Sequence, residues 1–354
     1  MPSPRLLLVA SCAIFLCCFF ILSDRSSPAR SNMDQHPESR VLGISLTASY
    51  GTVSVRNDDG SFRDIARIDG GQEYRDMMFR LSSRTSAHPA PPYQSMEDQW
   101  NDQSRQWLRS VRKLVFLPAS PDVGTLSTLT RSLVDIATSN SPATVASVVI
   151  SYPALPGLYA EDISDVGHHL SLPLLKGNHV YPPRSIVSAY AGYGMGLCTS
   201  YNDEAQCRKE GLILPVRPTL FIEYTSTAVL LHLASMREAY DLADPDVYTY
   251  PYFFRPGDPS TPDSEKRLRQ LRVCIIMLLH RCYTIMDPPK LITVLLTGES
   301  ATSAAAEAVD RAVKSAGFQI ELFGPTYPEF TIARGASELA WRAFSLNWSE
   351  QMET

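Results

Sequence analysis

The sequence predicts an α/β protein of two lobes behind an N-terminal hydrophobic segment. Three observations carry that expectation. An apolar run, Leu6–Leu22, precedes a polar stretch and stands apart from the rest of the chain. A three-stranded meander then opens the globular part, and a second block from Thr219 onward repeats a similar mixture of meander and β–α units. At 354 residues the chain exceeds a single small core.

Val41–Leu46 and Gly51–Arg56 read as strands, Asn57-Asp58-Asp59-Gly60 is a hairpin turn signal, and Ser61–Ile68 pairs next. A Pro-rich loop, His88–Tyr93, interrupts the pattern. Two helices follow: Trp100, Trp107, Leu108 and Val111 share a face of the first, and Leu126, Leu129, Leu133 and Ile136 a face of the second. Thr144–Tyr152 is a β-branched buried strand closed by Pro153, and Ile163, Val166 and Leu170 imply a helix after it.

In the second block Thr219–Tyr224 is a strand. Ser226–Leu233 fits either a return strand or the start of a helix. Pro262 suits a first helical residue, and Glu265–Met286 reads as a long helix with Leu268, Leu271, Ile275, Leu278 and Cys282 on its apolar face. Leu291–Thr297 is a buried strand, Gly298-Glu299-Ser300 a turn, and Ser303–Ala316 an Ala-rich helix ended by Gly317. A strand around Ile320 and a helix over Ile332–Phe344 complete the pattern.

The run Leu6–Leu22 is compatible with a cleaved signal peptide or an uncleaved signal anchor. The anchor is favoured because no small-x-small cleavage site follows Phe19-Phe20-Ile21-Leu22. Ser26–Arg40 has the composition of a tether. Either reading sends the globular part into the secretory pathway, with the membrane contacted through residues 6–22 or the protein secreted. Cys198 and Cys207 flank a polar loop and are a candidate disulfide, while Cys274 and Cys282 on an apolar helix fit a second bridge or two reduced thiols. Asn347-Trp348-Ser349 is a glycosylation sequon, placing a candidate glycan on Asn347. No cysteine or histidine spacing suits zinc, so no metal ligand set is expected. A net charge of −5 gives no reason to expect nucleic acid.

Several segments, in order, resemble the actin-like ATPase superfamily, of the type found in the ATPase domain of the seventy-kilodalton heat-shock chaperones. Val41–Val55 resembles its first phosphate hairpin, with Gly43, Ile44 and Leu46 in register. Ser151–Leu155 (SYPAL) resembles the Val-Pro-Ala after a core strand, and Leu220–Thr227 stands at the second phosphate hairpin. Val294–Ser300 (VLLTGES) resembles the adenosine strand and turn, and Ala333–Ala340 (ARGASELA) the helix that closes the domain. Ala189–Cys198 is similar to a segment of fungal membrane-anchored chaperone-like proteins.

The resemblance implies an actin-like, ribonuclease-H-like fold. Its division would be 1–40 for a cytosolic tail, apolar segment and tether, 41–185 for the first lobe, 186–320 for the second, and 321–354 for a closing segment returning to the first. It also implies a nucleotide site with a degenerate phosphate side. Ser45 stands where the family has a magnesium-orienting Asp, Tyr224-Thr225-Ser226 replace glycines after Glu223, and no lysine precedes Lys113. Loss of several electrostatic contributors, each worth ~10²–10³ in rate, leaves little catalysis. The nucleoside side is better kept: Gly298 and Ser300 match the adenosine turn, and Glu265 and Arg269 lie near the start of the helix that contacts adenine in the family.

The expected function is therefore that of a pseudo-ATPase, a pseudoenzyme that binds or scaffolds a protein partner; for Gly298 and the charges opening the helix, a strand end and solvated side chains are the plainer account, with a retained nucleoside contact as the alternative. The alternative is a divergent ATPase binding ATP or ADP with magnesium, in which Glu223 holds the metal through water and Ser49 or Thr52 contacts phosphate. A third reading is a Golgi-type glycosyltransferase, with Asp244-Pro245-Asp246 as its metal motif, for which a surface loop is the plainer account. The residues after ARGASELA are too few for the chaperones' peptide-binding domain, so clamp activity is not expected.

Overall fold

The computed structural model describes residues 40–139, 145–175, 182–239, 248–255, 260–284, 288–324 and 326–352, the side chains of 346–352 excepted. The candidate anchor at residues 6–22, the tether and the Asp244-Asp246 pair lie outside the described residues. Among the described residues, no helix is long and apolar enough to cross a membrane.

Strands β1 (Arg40–Leu46), β2 (Tyr50–Arg56) and β3 (Phe62–Asp69) form the expected antiparallel meander. β4 (Val145–Ser151) lies parallel on the other side of β1, giving the order β3-β2-β1-β4. Between β3 and β4 come α1 (Gln72–Leu81), α2 (Met96–Leu114) and α3 (Pro121–Ser139), and α4 (Ala160–His169) follows β4. After α5 (Ser185–Gly192) and α6 (Glu204–Ile213), the second sheet repeats the scheme. β5 (Arg217–Tyr224), β6 (Ala228–Met236) and β7 (Tyr248–Phe253) form a meander, and β8 (Leu291–Thr297) lies parallel beside β5. β9 (Gln319–Phe323) extends the order to β7-β6-β5-β8-β9. In the first sheet the corresponding place beside β4 holds, among the described residues, an isolated bridge, Val148 to Leu174. Helices α7 (Glu265–Tyr283), α8 (Ser303–Ser315) and α9 (Thr331–Met352) complete the chain.

Strand alternation decides the layering. Leu42, Ile44 and Leu46 point into a core with α1, α3 and α4, while Val41 and Val149 meet Ala336 and Ala340 of α9. In the second sheet Leu220, Ile222 and Tyr224 face α7 and α8, and Phe221 faces Tyr190 and Ile186 of α5. Helices α5 and α9 thus lie between the two sheets, which belong to one compact unit of residues 38–354. Small residues make that layer thin. A Cβ on Gly335 would stand 1.7 Å from Ser188 O, and one on Gly43 would stand 2.1 Å from Ser337 N.

Several expectations change. Ser226–Leu233 resolves as a strand, because β6 pairs with β5 over its whole length and is covered on both faces. Helices α1, α5 and α6 and strand β7 have no counterpart in the sequence reading. Helix α7 starts behind Ser264, whose side chain accepts from Arg267 N, so Pro262 lies before the cap. The apolar face of α2 points away from the body: Trp100 and Trp107 are 67% and 68% exposed. The buried positions of α2 are Asp102 and Arg109, because α4 presents carboxylates rather than apolar surface to it.

Candidate functional site

The β1–β2 and β5–β6 hairpin tips are built alike, and in both a threonine closes the turn. Thr47 N donates to Tyr50 O at 2.9 Å, and the Thr47 hydroxyl accepts from Ser49 N at 3.3 Å and Tyr50 N at 3.1 Å. Thr225 N donates to Ala228 O at 2.9 Å, and the Thr225 hydroxyl accepts from Thr227 N at 3.3 Å and Ala228 N at 3.0 Å. These are side-chain turns of the kind that short hydroxyl residues favour. One amide in each tip remains, and each meets a glutamate. Ala48 N donates to Glu223 Oε1 at 2.9 Å, and Ser226 N donates to Glu299 Oε1 at 2.7 Å.

Glu223 ends β5 and reaches across to the first sheet's hairpin. It is fully buried. Burial pushes its carboxyl up to about 8; the Ala48 N–H opposes that rise and the Glu299 carboxylate adds to it. Tyr50 lies beside both acids, with Arg67 stacked over its ring at 4.4 Å. Burial and then the charges of Glu299 and Glu223 hold its phenol well above the ordinary range. Ser45 Oγ, Ser49 Oγ, Tyr50 OH, Glu223 Oε2, Glu299 Oε2 and Ser300 Oγ are buried without a hydrogen-bond partner among the described residues.

The Gly298–Ser300 turn is stitched to the end of β5. Ser300 N donates to Tyr224 O at 3.1 Å, and Gly298 adopts φ +98° with its Cα so close to Tyr224 that a Cβ would stand 2.3 Å from its carbonyl oxygen. Tyr224, in a place where the resembled family has glycine, sends its hydroxyl to Pro262 O at 2.5 Å. Arg267 of α7 donates to Ser226 O and stacks over Phe254 at 4.0 Å. Tyr224, Phe254 and Arg267 therefore pack together between the second hairpin and the start of α7.

The structure brings Glu223, Gly298 and Ser300 to one region, where the two hairpins meet. Ser45 lies at the end of β1, just before the hairpin tip, paired in register with Thr52 and Ser151. Gly43 serves the close approach of α9 to β1. Glu265 and Arg269 are exposed on α7, Glu265 paired with Arg272 at 2.5 Å, and neither reaches the hairpins. The sequence reading missed Tyr50 and Arg267, and it took Thr47, Thr225 and Glu299 only as hairpin and turn residues without the bonds they make. A signal for these three existed: a threonine in the same place in both hairpins, and an acid directly after Gly298.

Outside this region Cys198 and Cys207 form the disulfide, and Cys274 and Cys282 are buried free thiols. Asn347 lies on α9, and its side chain is outside the described residues. Among the described residues no group of three or more His, Cys, Asp or Glu side chains could hold a metal ion. A scan against protein-family models and a search of curated proteins each return no match to this chain.

Proposed function

We propose that the chain is an actin-like, ribonuclease-H-like pseudo-ATPase, a binding or scaffolding module held at a membrane by Leu6–Leu22 or secreted, whose ligand is a protein partner. The two sheets repeat one strand order, a meander with a parallel strand on the far side of its first strand. Two helices are enclosed between the sheets. Both features support the two-lobed reading.

One observation carries the functional half. Every N–H from Thr47 to Tyr50 and from Thr225 to Ala228 already donates within the protein, and the two that do not stay within their own hairpin go to Glu223 and Glu299. Hairpin amides are the donors a phosphate would need. Here carboxylates stand in the place of phosphate oxygens. A magnesium-bound triphosphate does not fit this donor set: the amides are engaged, Ser45 has no charge to offer, and burial pushes the Glu223 carboxyl well above the ordinary carboxylate range. No chemical step is derived through such a group.

The test is a thermal shift of the purified chain with ATP, ADP and adenosine, each with and without magnesium, beside an ATP hydrolysis assay. The expected result is no magnesium-dependent shift and no hydrolysis above a denatured control. Magnesium-dependent stabilisation by ATP, lost in Glu223→Gln, overturns the reading in favour of a divergent ATPase. The unpartnered buried oxygens of Ser49, Tyr50 and Glu223 are the observation that favours this second reading. The adenosine arm tests a retained nucleoside contact at Gly298 and Ser300.

A further inference from the structure

Helix α2 is amphipathic in the wrong sense for a helix bathed in water. Asp102, Arg105, Arg109 and Lys113 are turned inward. Arg109 donates to Asp162 at 2.8 Å and to Asp165 at 2.6 Å, Arg105 to Glu161 at 2.7 Å, and Lys113 to Asp165 at 3.0 Å. The helix therefore stands off the body on long charged side chains. Its outward positions carry Met96, Trp100, Trp107, Leu108, Val111 and Leu114, all exposed. A surface helix ordinarily presents the opposite faces.

The stripe continues past the helix end. Leu114, Val115, Phe116 and Leu117 are consecutive, apolar and exposed, with Phe116 90% exposed. Phe116 holds φ +61°, a left-handed conformation that bulky residues rarely adopt. Phe116 N to Lys113 O at 3.1 Å and Leu117 N to Arg112 O at 2.9 Å hold that turn. Large contiguous apolar surfaces of this kind mark interaction sites.

We propose that α2 and the Leu114–Leu117 turn dock on a lipid bilayer surface, with the stripe lying in the plane of the acyl–headgroup boundary. The surface is convex: a single projecting helix, spanning about 28 Å by its rise, and a protruding turn. That shape suits a deformable apolar medium. Trp100 and Trp107 have the amphipathic rings that settle at such boundaries. From Trp100 to Leu117 the one carboxylate, Asp102, is buried, and the exposed acid Glu97 lies only at the Met96 end, so the stretch from Trp100 to the Leu114–Leu117 turn presents no acid to the headgroups. Proximity rests on the anchor reading of Leu6–Leu22. Ser26–Arg40 spans at most about 50 Å fully extended, which keeps the globular part within reach of the bilayer and raises the effective concentration of the stripe there.

The test uses the full chain reconstituted in phosphatidylcholine vesicles with brominated acyl chains, which quench tryptophan on contact. Emission from the wild-type chain is expected to fall towards half relative to unbrominated vesicles, the share of two tryptophans in four. The Trp100→Phe/Trp107→Phe variant, which keeps Trp341 and Trp348, is expected to lose that quenching. Leu114→Asp/Phe116→Asp is expected to lose it too while still floating with the vesicles, and since both positions are exposed its thermal melt should match the wild type. A chain that floats but shows no quenching of Trp100 and Trp107 overturns the proposal and leaves the anchor reading standing. A chain that does not float overturns both. Rapid covalent pairing of Phe116→Cys chains without lipid quenching overturns it in favour of a second copy on this face. Any ATP hydrolysis bears on the nucleotide reading alone.

Discussion

Replacing Glu223 with glutamine should stabilise the protein at neutral and alkaline pH. The carboxyl titrates near its ordinary 4.5 in the unfolded chain and at about 8 in the folded one. Between those values the folded state holds a proton that the unfolded state has released, so stability falls as pH rises. The contribution is fully present below pH 4.5 and lost by pH 8. Each pH unit in that window costs ~1.4 kcal/mol, so the wild type gives up about 3 kcal/mol by pH 7 and about 4 kcal/mol by pH 8, where the slope flattens. Glutamine keeps an oxygen for the Ala48 N–H and never ionises.

His232 complicates the raw curve. Burial first, and then the charge of Arg184, lower its imidazole to about 3. The folded state therefore resists its protonation, and stability from this group is present above pH 6.5 and lost as pH falls towards 3. The two slopes oppose each other between pH 4.5 and 6.5. From pH 6.5 to 8 Glu223 acts without that opposition, and urea denaturation there at closely spaced pH values reads it directly. The expected result is a wild-type midpoint that drops with pH and a Glu223→Gln midpoint that stays level. Parallel curves for the two proteins, or a variant less stable than wild type at pH 7.5, would refute the assignment of a neutral, buried Glu223.

Other substitutions probe the parts that hold the hairpins and α2 in place. Arg109→Met leaves Asp162 and Asp165 buried without their main partner; a loss of about 3–5 kcal/mol in urea denaturation, with faster proteolysis between Met96 and Leu117, is expected. Gly43→Ala drives a methyl into Ser337 N and Ala333 O. It should cost about 3 kcal/mol and lower the melting temperature without altering the nucleotide response. Cys207→Ser opens the loop from Cys198, whose carbonyl accepts from Arg342 at 2.6 Å. A loop of this size predicts a loss of about 3 kcal/mol, and reduction of the wild type should reproduce it.

What the sequence conveyed follows from how far apart the interacting residues lie. The first meander was legible because Asn57-Asp58-Asp59-Gly60 is a local turn signal between alternating strands. Leu291–Thr297 and the apolar face of Glu265–Tyr283 were legible by period. The candidate disulfide followed from two cysteines around one polar loop. Helix α1 escaped because Tyr74, Met77, Met78 and Leu81 sit among charges that blur its period. The orientation of α2 was invisible because Asp162 and Asp165, its partners, come some fifty residues later. At the hairpins, Glu223 stood out as a lone acid beside altered glycines. That it would serve Ala48, 175 positions earlier, needed the two sheets in place. Arg267 rather than Arg269 reaches the second hairpin because helical rotation, unreadable to within a turn, decides which side chain points inward.

The bond from Glu223 to Ala48 is also a clasp. It fastens the end of one sheet to the tip of the other, and Arg334 to Asp64 and Arg67 to Glu329 tie the first sheet to α9 and the turn before it. A frame secured in this way has no spare amide with which an incoming anion could pry it apart. On the proposed pseudo-ATPase reading, its outer contour is set at assembly, and a partner reading it would meet the same shape at every encounter. Ionisation of Glu223 is the chemical event that acts on this frame: the Ala48 N–H favours the charged form and burial opposes it, so the fold loses stability as the carboxyl gives up its proton.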